Sequence, residues 1–449
     1  MKPTAREVAR RVLRRVEGDG AFVSLALAGE LERAALSPED RGLATEIAYG
    51  VVRHRSRLTR AVAAHAPRGI AKLSPAVRVA LEAAAYQILL LDRVPDYAAV
   101  DDAVRAVRAV AGPRVAGFAN GLLRRLAREG EPPLPDRAAG LRSHLEVACS
   151  LPAALLDELA RAVPESELEA AATALTAPAP LWARVDPRGP AELAAILAAE
   201  RPDARAEPGE LCREAFRVTG AGSPEASPSF QEGLWTVQDL GAQLVGHLLA
   251  PRPGMHILDA CAGVGGKATH LAQLAGDQAR IDAADKSRRK LDLLIDTARR
   301  LRLASIAPIE SDLVQPGGEL AAAYDGILLD APCTGLGVIR RHPELKWRLR
   351  PTAIAEMAAL QRQLLAALWP RLRPGGVLVY SVCTFTAAEG PEQIARFVAD
   401  TPGAAIELPV PDDGVRDWTP VLRPDGTIAT WPHRHDADAF FAARLRRRG

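Results

Sequence analysis

The chain has 449 residues, 48% of them apolar, which is enough to bury more than one core. Its 57 basic and 55 acidic residues nearly cancel at +2, and its five cysteines include no Cys-x-x-Cys pair, which excludes a disulfide framework and a zinc ribbon and fits the reducing cytoplasm. No apolar run approaches the ~20 residues that span a bilayer, and none follows the basic N-terminus as in a signal peptide, so a soluble chain of two or three domains is expected.

Thr4-Ala-Arg-Glu7 has capping-box spacing, and Val8, Val12, Leu13 and Val16 recur at helical intervals behind it. Ser37-Pro38 and Ser74-Pro75 repeat the start signal, with Leu43, Ile47 and Val51 on one following face and Val77, Leu81 and Ile88 on another. Helical patterning runs to about Arg128 without a strand signal, so residues 1–135 are expected to form an all-α bundle. They carry 22 Lys+Arg against 15 Asp+Glu, or +7, leaving −5 for the rest, a distribution that suggests the first domain helps to hold a polyanion.

The stiff segment Glu131-Pro-Pro-Leu-Pro135 is read as a linker. Residues 136–230 follow as a linker and small α/β module, with helices at 153–162 and 191–199, strands at 181–185 and 216–218 and a loop over 220–228. Such a module could position nucleic acid or act as a spacer. From Trp235 strands alternate with helices, so residues 231–449 are expected to form a doubly wound parallel sheet. Residues 255–261 form a strand entering the turn Cys261, Ala262, Gly263, Val264, Gly265, Gly266 and Lys267, whose glycines suit close approach to a cofactor. The next strands end at Asp285, a position that suits the grip of a ribose diol, and at Asp312; either acid could instead only cap the helix that follows.

Gly326 to Leu329 then suit a strand buried on both faces, and Asp330-Ala-Pro-Cys333 comes where ligands gather at the carboxyl edge of such a sheet. Pro332 directs the chain out of the sheet, and the cations Arg340, Arg341, Lys346, Arg348 and Arg350 are candidates for phosphate contacts. After a helix over 352–372, residues 375–383 form another buried strand ending in Cys383, which puts two cysteines at one edge of the sheet. Nicotinamide chemistry needs neither cysteine. A thiolate adding to carbon 6 of a pyrimidine makes carbon 5 nucleophilic, and that chemistry uses such a pair.

Asp330-Ala-Pro-Cys-Thr-Gly-Leu-Gly-Val-Ile-Arg-Arg-His-Pro-Glu-Leu-Lys-Trp347 with Tyr380-Ser-Val-Cys383 closely resembles the S-adenosylmethionine-dependent RNA cytosine-5 methyltransferases, and within them the bacterial Sun or Fmu type that acts on small-subunit ribosomal RNA. Residues 41–58 and Phe118-Ala-Asn-Gly-Leu-Leu-Arg-Arg125 are similar to that type's NusB-like helical domain. Val237-Gln-Asp239 and Phe440-Phe-Ala-Ala-Arg-Leu445 match its entry and last strand. The resemblance implies a Rossmann-like class I methyltransferase domain that takes S-adenosylmethionine as cofactor and ribosomal RNA as partner. It also implies that Cys383 is the nucleophile, that Cys333 assists release, that Cys261 to Lys267 wrap the methionine end, that Asp285 holds the ribose, that Asp312 lies by the adenine and that Asp330 sits between cofactor and base. One departure is Cys-Ala-Gly-Val-Gly-Gly-Lys in place of the family's Cys-Ala-Ala-Pro-Gly-Gly-Lys, a more flexible turn. Cys149 and Cys212 are read as structural, and His256, His342 and His433 lack metal-ligand spacing, so no metal and a monomer are expected. Transfer RNA as substrate, a non-catalytic RNA-binding assembly factor and a nicotinamide oxidoreductase are the alternatives.

Overall fold

The computed structural model describes residues 2–66, 69–70, 72–186 and 192–449. It divides into two units, Met1–Ala177 with Ile339–Leu349, and Pro178–Val338 with Arg350–Gly449. Among the described residues no helix is long and apolar enough to cross a membrane.

Helices build the first unit. Thr4 caps Ala5–Gly18 by accepting from the Glu7 N–H at 3.2 Å, and Ser37 caps Pro38–Arg53 by accepting from the Asp40 N–H at 3.2 Å. Pro75–Leu90 starts where the proline predicts, but the Ser74 side chain makes no capping bond. Val8, Val12, Leu13, Ile47, Val51, Val77 and Leu81 are all buried in one core. The long helix Asp96–Glu129 is broken where Gly112 takes a φ of 79° and Pro113 follows. The segment expected to link domains is pinned instead: Arg57 Nε donates to Glu131 at 2.8 Å, and Arg60 donates to the carbonyls of Pro132 at 3.0 Å and Pro133 at 2.6 Å. Helices Leu141–Ala148, Ala153–Ala162 and Leu168–Thr176 complete the unit, and the chain leaves it between Ala177 and Pro178.

The second unit holds two sheets. The smaller is antiparallel, from β1 (Leu181–Val185), β2 (Arg205–Pro208), β3 (Ala215–Thr219) and β4 (Trp235–Val237) in the order β2-β3-β1-β4. Trp235, from which the large sheet was expected to start, thus belongs to the small one. The helix expected over 191–199 is Leu193–Glu200, and Ala191 lies outside the described residues.

The larger sheet contains β5 (His256–Ala260), β6 (Arg280–Asp285), β7 (Ile306–Glu310), β8 (Tyr324–Asp330), β9 (Leu372–Val382), β10 (Ala404–Ile406), β11 (Ile428–Thr430) and β12 (Phe440–Arg447). Its order is β10-β12-β9-β8-β5-β6-β7, with β11 beside β12. The run from β9 to β7 is parallel, but β12 pairs antiparallel with β9, so the wholly parallel sheet expected from the sequence is a mixed one. The reason is the connection: β12 returns from β11 as an antiparallel partner, without the crossover that a parallel neighbour requires. Successive strand residues feed two cores, Ile257 and Leu328 into one and Leu258, Ile327 and Leu329 into the other, as a sheet covered on both faces demands.

Residues 339–349 belong to the helical unit because they satisfy its helix ends. Glu344 Oε1 accepts from the N–H of Val23 at 3.1 Å, the first residue of Val23–Arg33, whose preceding Phe22 offers no side-chain cap. At the other polarity, Lys346 Nζ donates to the Arg53 carbonyl at 2.7 Å and Trp347 Nε1 to the Val52 carbonyl at 2.9 Å, at the C-terminus of Pro38–Arg53. An acid at a helix start and a cation at a helix end both match the helix dipole. Arg340 and Lys346 are buried, which corrects the expectation of phosphate contacts for these two; Arg348 donates to the Ala21 carbonyl, and exposed Arg350 pairs with Glu356. Burial, then the Arg53 charge, pull the Lys346 ammonium down to about 7. Glu344→Ala strips the cap from Val23–Arg33 and is expected to destabilise the first unit by about 1–2 kcal/mol, read as a lower midpoint in thermal unfolding followed by circular dichroism.

Candidate active site

β5 ends in a turn that only an unusual backbone can make. Cys261, Gly263 and Gly265 have φ of 63°, 58° and 86°, after which Gly266–Leu274 begins as a helix. A Cβ on Gly265 would stand 2.5 Å from Leu294 Cγ, so this glycine lets the turn pack on helix Arg288–Arg300. At Gly263 nothing lies closer than the Cys261 carbonyl at 4.0 Å, and Val264 is 51% exposed, so the tip of the turn faces open space. The Ala262 N–H donates to the Ala284 carbonyl at 2.9 Å, tying the turn to β6.

Asp285, at the end of β6, accepts from the Gly263 N–H at 3.0 Å and from the Ser287 N–H at 2.8 Å. It therefore caps the start of the next helix, the alternative that the sequence leaves open, and also braces the turn. Each oxygen keeps a lone pair. Asp312 lies two residues beyond β7, is exposed, and accepts from the Val314 N–H at 3.0 Å.

Asp330 closes β8 beside Ser381 of β9, whose hydroxyl donates to it at 2.8 Å. Its other oxygen pairs with Lys267 Nζ at 2.7 Å, joining the turn after β5 to the motif after β8. Burial pulls the Lys267 ammonium down, but the Asp330 charge, its hydrogen bond and the charge of a Cys383 thiolate raise it above its ordinary value. The ammonium also lies 5.2 Å from the Phe440 ring centre.

The two cysteines meet because β8 and β9 are neighbours. Cys333 Sγ is 3.4 Å from Cys383 Sγ, and both residues are half-buried. The hydrogen bond with Cys383, then burial and the Cys383 and Glu389 charges, push the Cys333 thiol well above its ordinary value, so Cys333 keeps its proton. Gly337 fits between the ends of the strands: its N–H donates to the Cys383 carbonyl at 3.0 Å, its carbonyl accepts from the Ala439 N–H at 3.0 Å, and a Cβ there would stand 1.9 Å from the Ala439 carbonyl oxygen.

Glu389, Gln361 and Asp259 carry no sequence signal that singles them out. Glu389 is fully buried and accepts from the Thr334 N–H at 2.8 Å, the Thr334 hydroxyl at 2.6 Å, the Thr386 hydroxyl at 2.8 Å and Gln361 Nε2 at 3.2 Å. It clamps the loops that hold both cysteines, and Gln361 adds a bond to the Pro332 carbonyl at 2.9 Å. Asp259, inside β5, is also fully buried; burial first, then the Asp330 charge, push its carboxyl up to about 8 against the pull of Lys267. Cys261 joins the core beneath the turn, its thiol pushed up to about 12 by burial and then by Asp330 and Asp285.

Comparison with known proteins matches residues 246–446 to the family described as 16S rRNA methyltransferase RsmB/F and residues 3–128 to the NusB family. The chain is 35% identical to the probable ribosomal RNA small subunit methyltransferase B of Synechocystis sp., covering 99% of each. It is 31% identical to the probable ribosomal RNA small subunit methyltransferase B of Bacillus subtilis, covering 100% of each. Among solved structures, the fold resembles PH0851, with a TM-score of 0.82 at 24% identity and 99% of each chain covered. It also resembles NSun6 from Pyrococcus horikoshii with SFG, with a TM-score of 0.57 at 21% identity, covering 66% of this chain and 98% of that one.

The raised Asp259 carboxyl has a consequence for stability. The folded state binds this proton more tightly than the unfolded chain, so the contribution is full below about pH 4 and is lost as pH rises through about 8. Asp259→Asn, which imitates the neutral acid, is expected to gain stability relative to wild type as pH rises across that window. Urea unfolding of both proteins over the pH series checks this; a difference independent of pH refutes it.

Proposed function

Because the chain belongs to the 16S rRNA methyltransferase RsmB/F family, we propose that it transfers a methyl group from S-adenosylmethionine to carbon 5 of a cytosine in small-subunit ribosomal RNA, through a covalent bond between Cys383 and carbon 6 of the base. The observation that carries this reading is the pair of thiols 3.4 Å apart at the carboxyl edge of the sheet, beside the Lys267–Asp330 ion pair. Neither hydride transfer nor passive RNA binding calls for that pair.

The residues fit the cofactor: the turn presents an open glycine face at a helix N-terminus, with a carboxylate beside it. Ala262, Gly263, Val264, Gly265, Gly266 and Lys267, with Cys261 beneath, would hold its methionine end, Asp285 its ribose and Asp312 the adenine side. When bound, S-adenosylmethionine supplies an electrophilic methyl group.

This chain's own residues supply the rest. The Cys383 thiolate adds to carbon 6, forming a carbon–sulfur bond, and the electron pair of the 5,6 double bond shifts onto carbon 5 and the adjoining C4–N3 unit, so that carbon 5 becomes nucleophilic. Lys267 sets positive charge beside that thiolate, and Asp330 with Ser381 holds the lysine in place. Once Cys383 sulfur is bonded to carbon 6, the charge and hydrogen bond that held the proton on Cys333 are gone. Cys333 gives that proton to solvent and, after methylation, takes as thiolate the proton from carbon 5, so that the electrons of the carbon–hydrogen bond re-form the double bond and expel the Cys383 thiolate. The target must be unpaired or flipped out, since a stacked base does not expose carbon 6 to a thiol. The basic charge of residues 1–135 adds non-specific affinity for RNA.

Two variants separate the cysteines. Incubated with S-adenosylmethionine and small-subunit ribosomal RNA, Cys333→Ala is expected to accumulate a denaturation-resistant protein–RNA adduct, seen as a shifted band on a denaturing gel. Cys383→Ala is expected to give neither adduct nor product. The reverse pattern exchanges their roles, and adduct formed on transfer RNA alone changes the substrate. Asp285→Ala is expected to weaken S-adenosylmethionine binding by about 1–3 kcal/mol through lost hydrogen bonds, and unchanged affinity in calorimetry moves the ribose contact elsewhere.

A further inference from the structure

A second cluster of chemically capable side chains lies in the same unit and takes no part in methyl transfer. Cys212 and Glu214 precede β3, His247 sits on helix Leu240–Leu249 and His270 on Gly266–Leu274, and all four are buried. Cys212 Sγ is 3.6 Å from His247 Nε2, Glu214 Oε1 pairs with His247 Nε2, and His270 Nε2 donates to Glu214 Oε1 at 3.0 Å. The ligand atoms of Cys212, Glu214 and His247 all lie within 4.8 Å of one another. Two glycines make room for the rings: a Cβ on Gly414 would stand 2.2 Å from His247 Cε1, and one on Gly246 2.4 Å from His270 Nδ1.

The geometry points to a buried site for a zinc-class divalent ion, held by the Cys212 thiolate, the Glu214 carboxylate and His247 Nε2, with a fourth position left for water. A sulfur, nitrogen and oxygen donor set suits zinc or cobalt and not the hard ions magnesium and calcium. Bonds of about 2.3 Å to sulfur and about 2.0 Å to nitrogen at a tetrahedral angle place those donors about 3.5 Å apart, close to the Cys212–His247 separation of 3.6 Å. The Glu214–His247 pair must open to admit the ion. Asp412 Oδ2, 2.8 Å from His247 Nδ1, accepts the ring proton there and leaves Nε2 free to coordinate, as outer carboxylates do for metal-bound histidines. Asp412 is itself fixed by the N–H groups of Gly414 at 2.9 Å and Val415 at 2.6 Å. A cavity of about 480 Å³ lined by Glu214, His247 and Asp412 provides an entrance.

The Glu214 and Asp412 carboxylates flank the two ring nitrogens of His247, and Cys212 Sγ lies against the same Nε2 as Glu214. Fully buried Arg184 is held nearby by Gln273 at 2.9 Å and Thr269 at 3.1 Å. The ion would join the loop entering β3 to helix Leu240–Leu249.

The test uses the full chain, stripped with a chelator and titrated with Co²⁺ or Zn²⁺. One ion per chain is expected, with a thiolate-to-cobalt absorption band that Cys212→Ser abolishes and Cys149→Ser retains. Zn²⁺ should also raise the unfolding temperature. Asp412→Asn keeps every ligand and is expected to weaken Co²⁺ binding about 10–100-fold, a readout that stands even if Cys212→Ser does not fold. Folded wild type that takes up no ion, unchanged affinity in Asp412→Asn, or a band that survives Cys212→Ser and vanishes in Cys383→Ser overturns the proposal, the last by placing the ion on the thiols of the active site.

Discussion

The parallel pairing of β8 with β9, in the register that sets Asp330 beside Ser381, is the constraint from which the candidate active site follows. Parallel neighbours end at the same edge of a sheet, so loops that leave them from positions about fifty residues apart in sequence emerge side by side. Cys333 and Cys383 lie on those two loops. A slip of one residue in this register would turn Ser381 away from Asp330 and separate the thiols, because side chains alternate faces along a strand. Glu389 holds the arrangement from below by accepting from groups on both loops, and a buried carboxylate with four donors fixes geometry more firmly than apolar packing alone.

Electrostatics divides the acids of this edge by environment. Asp330 has a cation and a hydroxyl, Asp285 has two backbone N–H groups, and Asp259 is fully buried among other carboxylates, so its neutral form is favoured. One half-buried lysine, Lys267, serves both Asp330 and a Cys383 thiolate. Positive charge thus accumulates where the proposed chemistry develops negative charge on sulfur, while Cys333 retains its proton beside it. The two thiols differ in environment although they are the same side chain at nearly the same place.

The segment that follows the cysteine motif shows a different economy. Its charges read in one dimension as a basic face, and in three dimensions they close helix ends. Glu344 answers the exposed N–H of one helix start, and Lys346 and Trp347 answer the carbonyls of one helix end. A helix terminus buried without such partners would leave polar groups unsatisfied. The segment is therefore structural for the helical unit as well as part of the motif by which the chain resembles its relatives.

Local rules in the sequence determined the elements: the caps at Thr4 and Ser37, the proline starts, the apolar runs of β5, β6, β8 and β9, and the glycine turn after β5 all lie where spacing and side-chain type require. They also determined that two cysteines end two buried strands. Tertiary structure decided what spacing cannot encode. It reversed β12, placed β4 in the small sheet, sent residues 339–349 to the helical unit, and brought His247 and His270 from two helices to Glu214 beside Cys212. The physical reason is the range of the forces involved. Capping, turn conformation and hydrophobic periodicity act over three or four neighbouring residues and leave a pattern in the chain, whereas strand pairing and the satisfaction of buried polar groups act between residues close only in space, where Glu389 and Asp259 find the partners that define them.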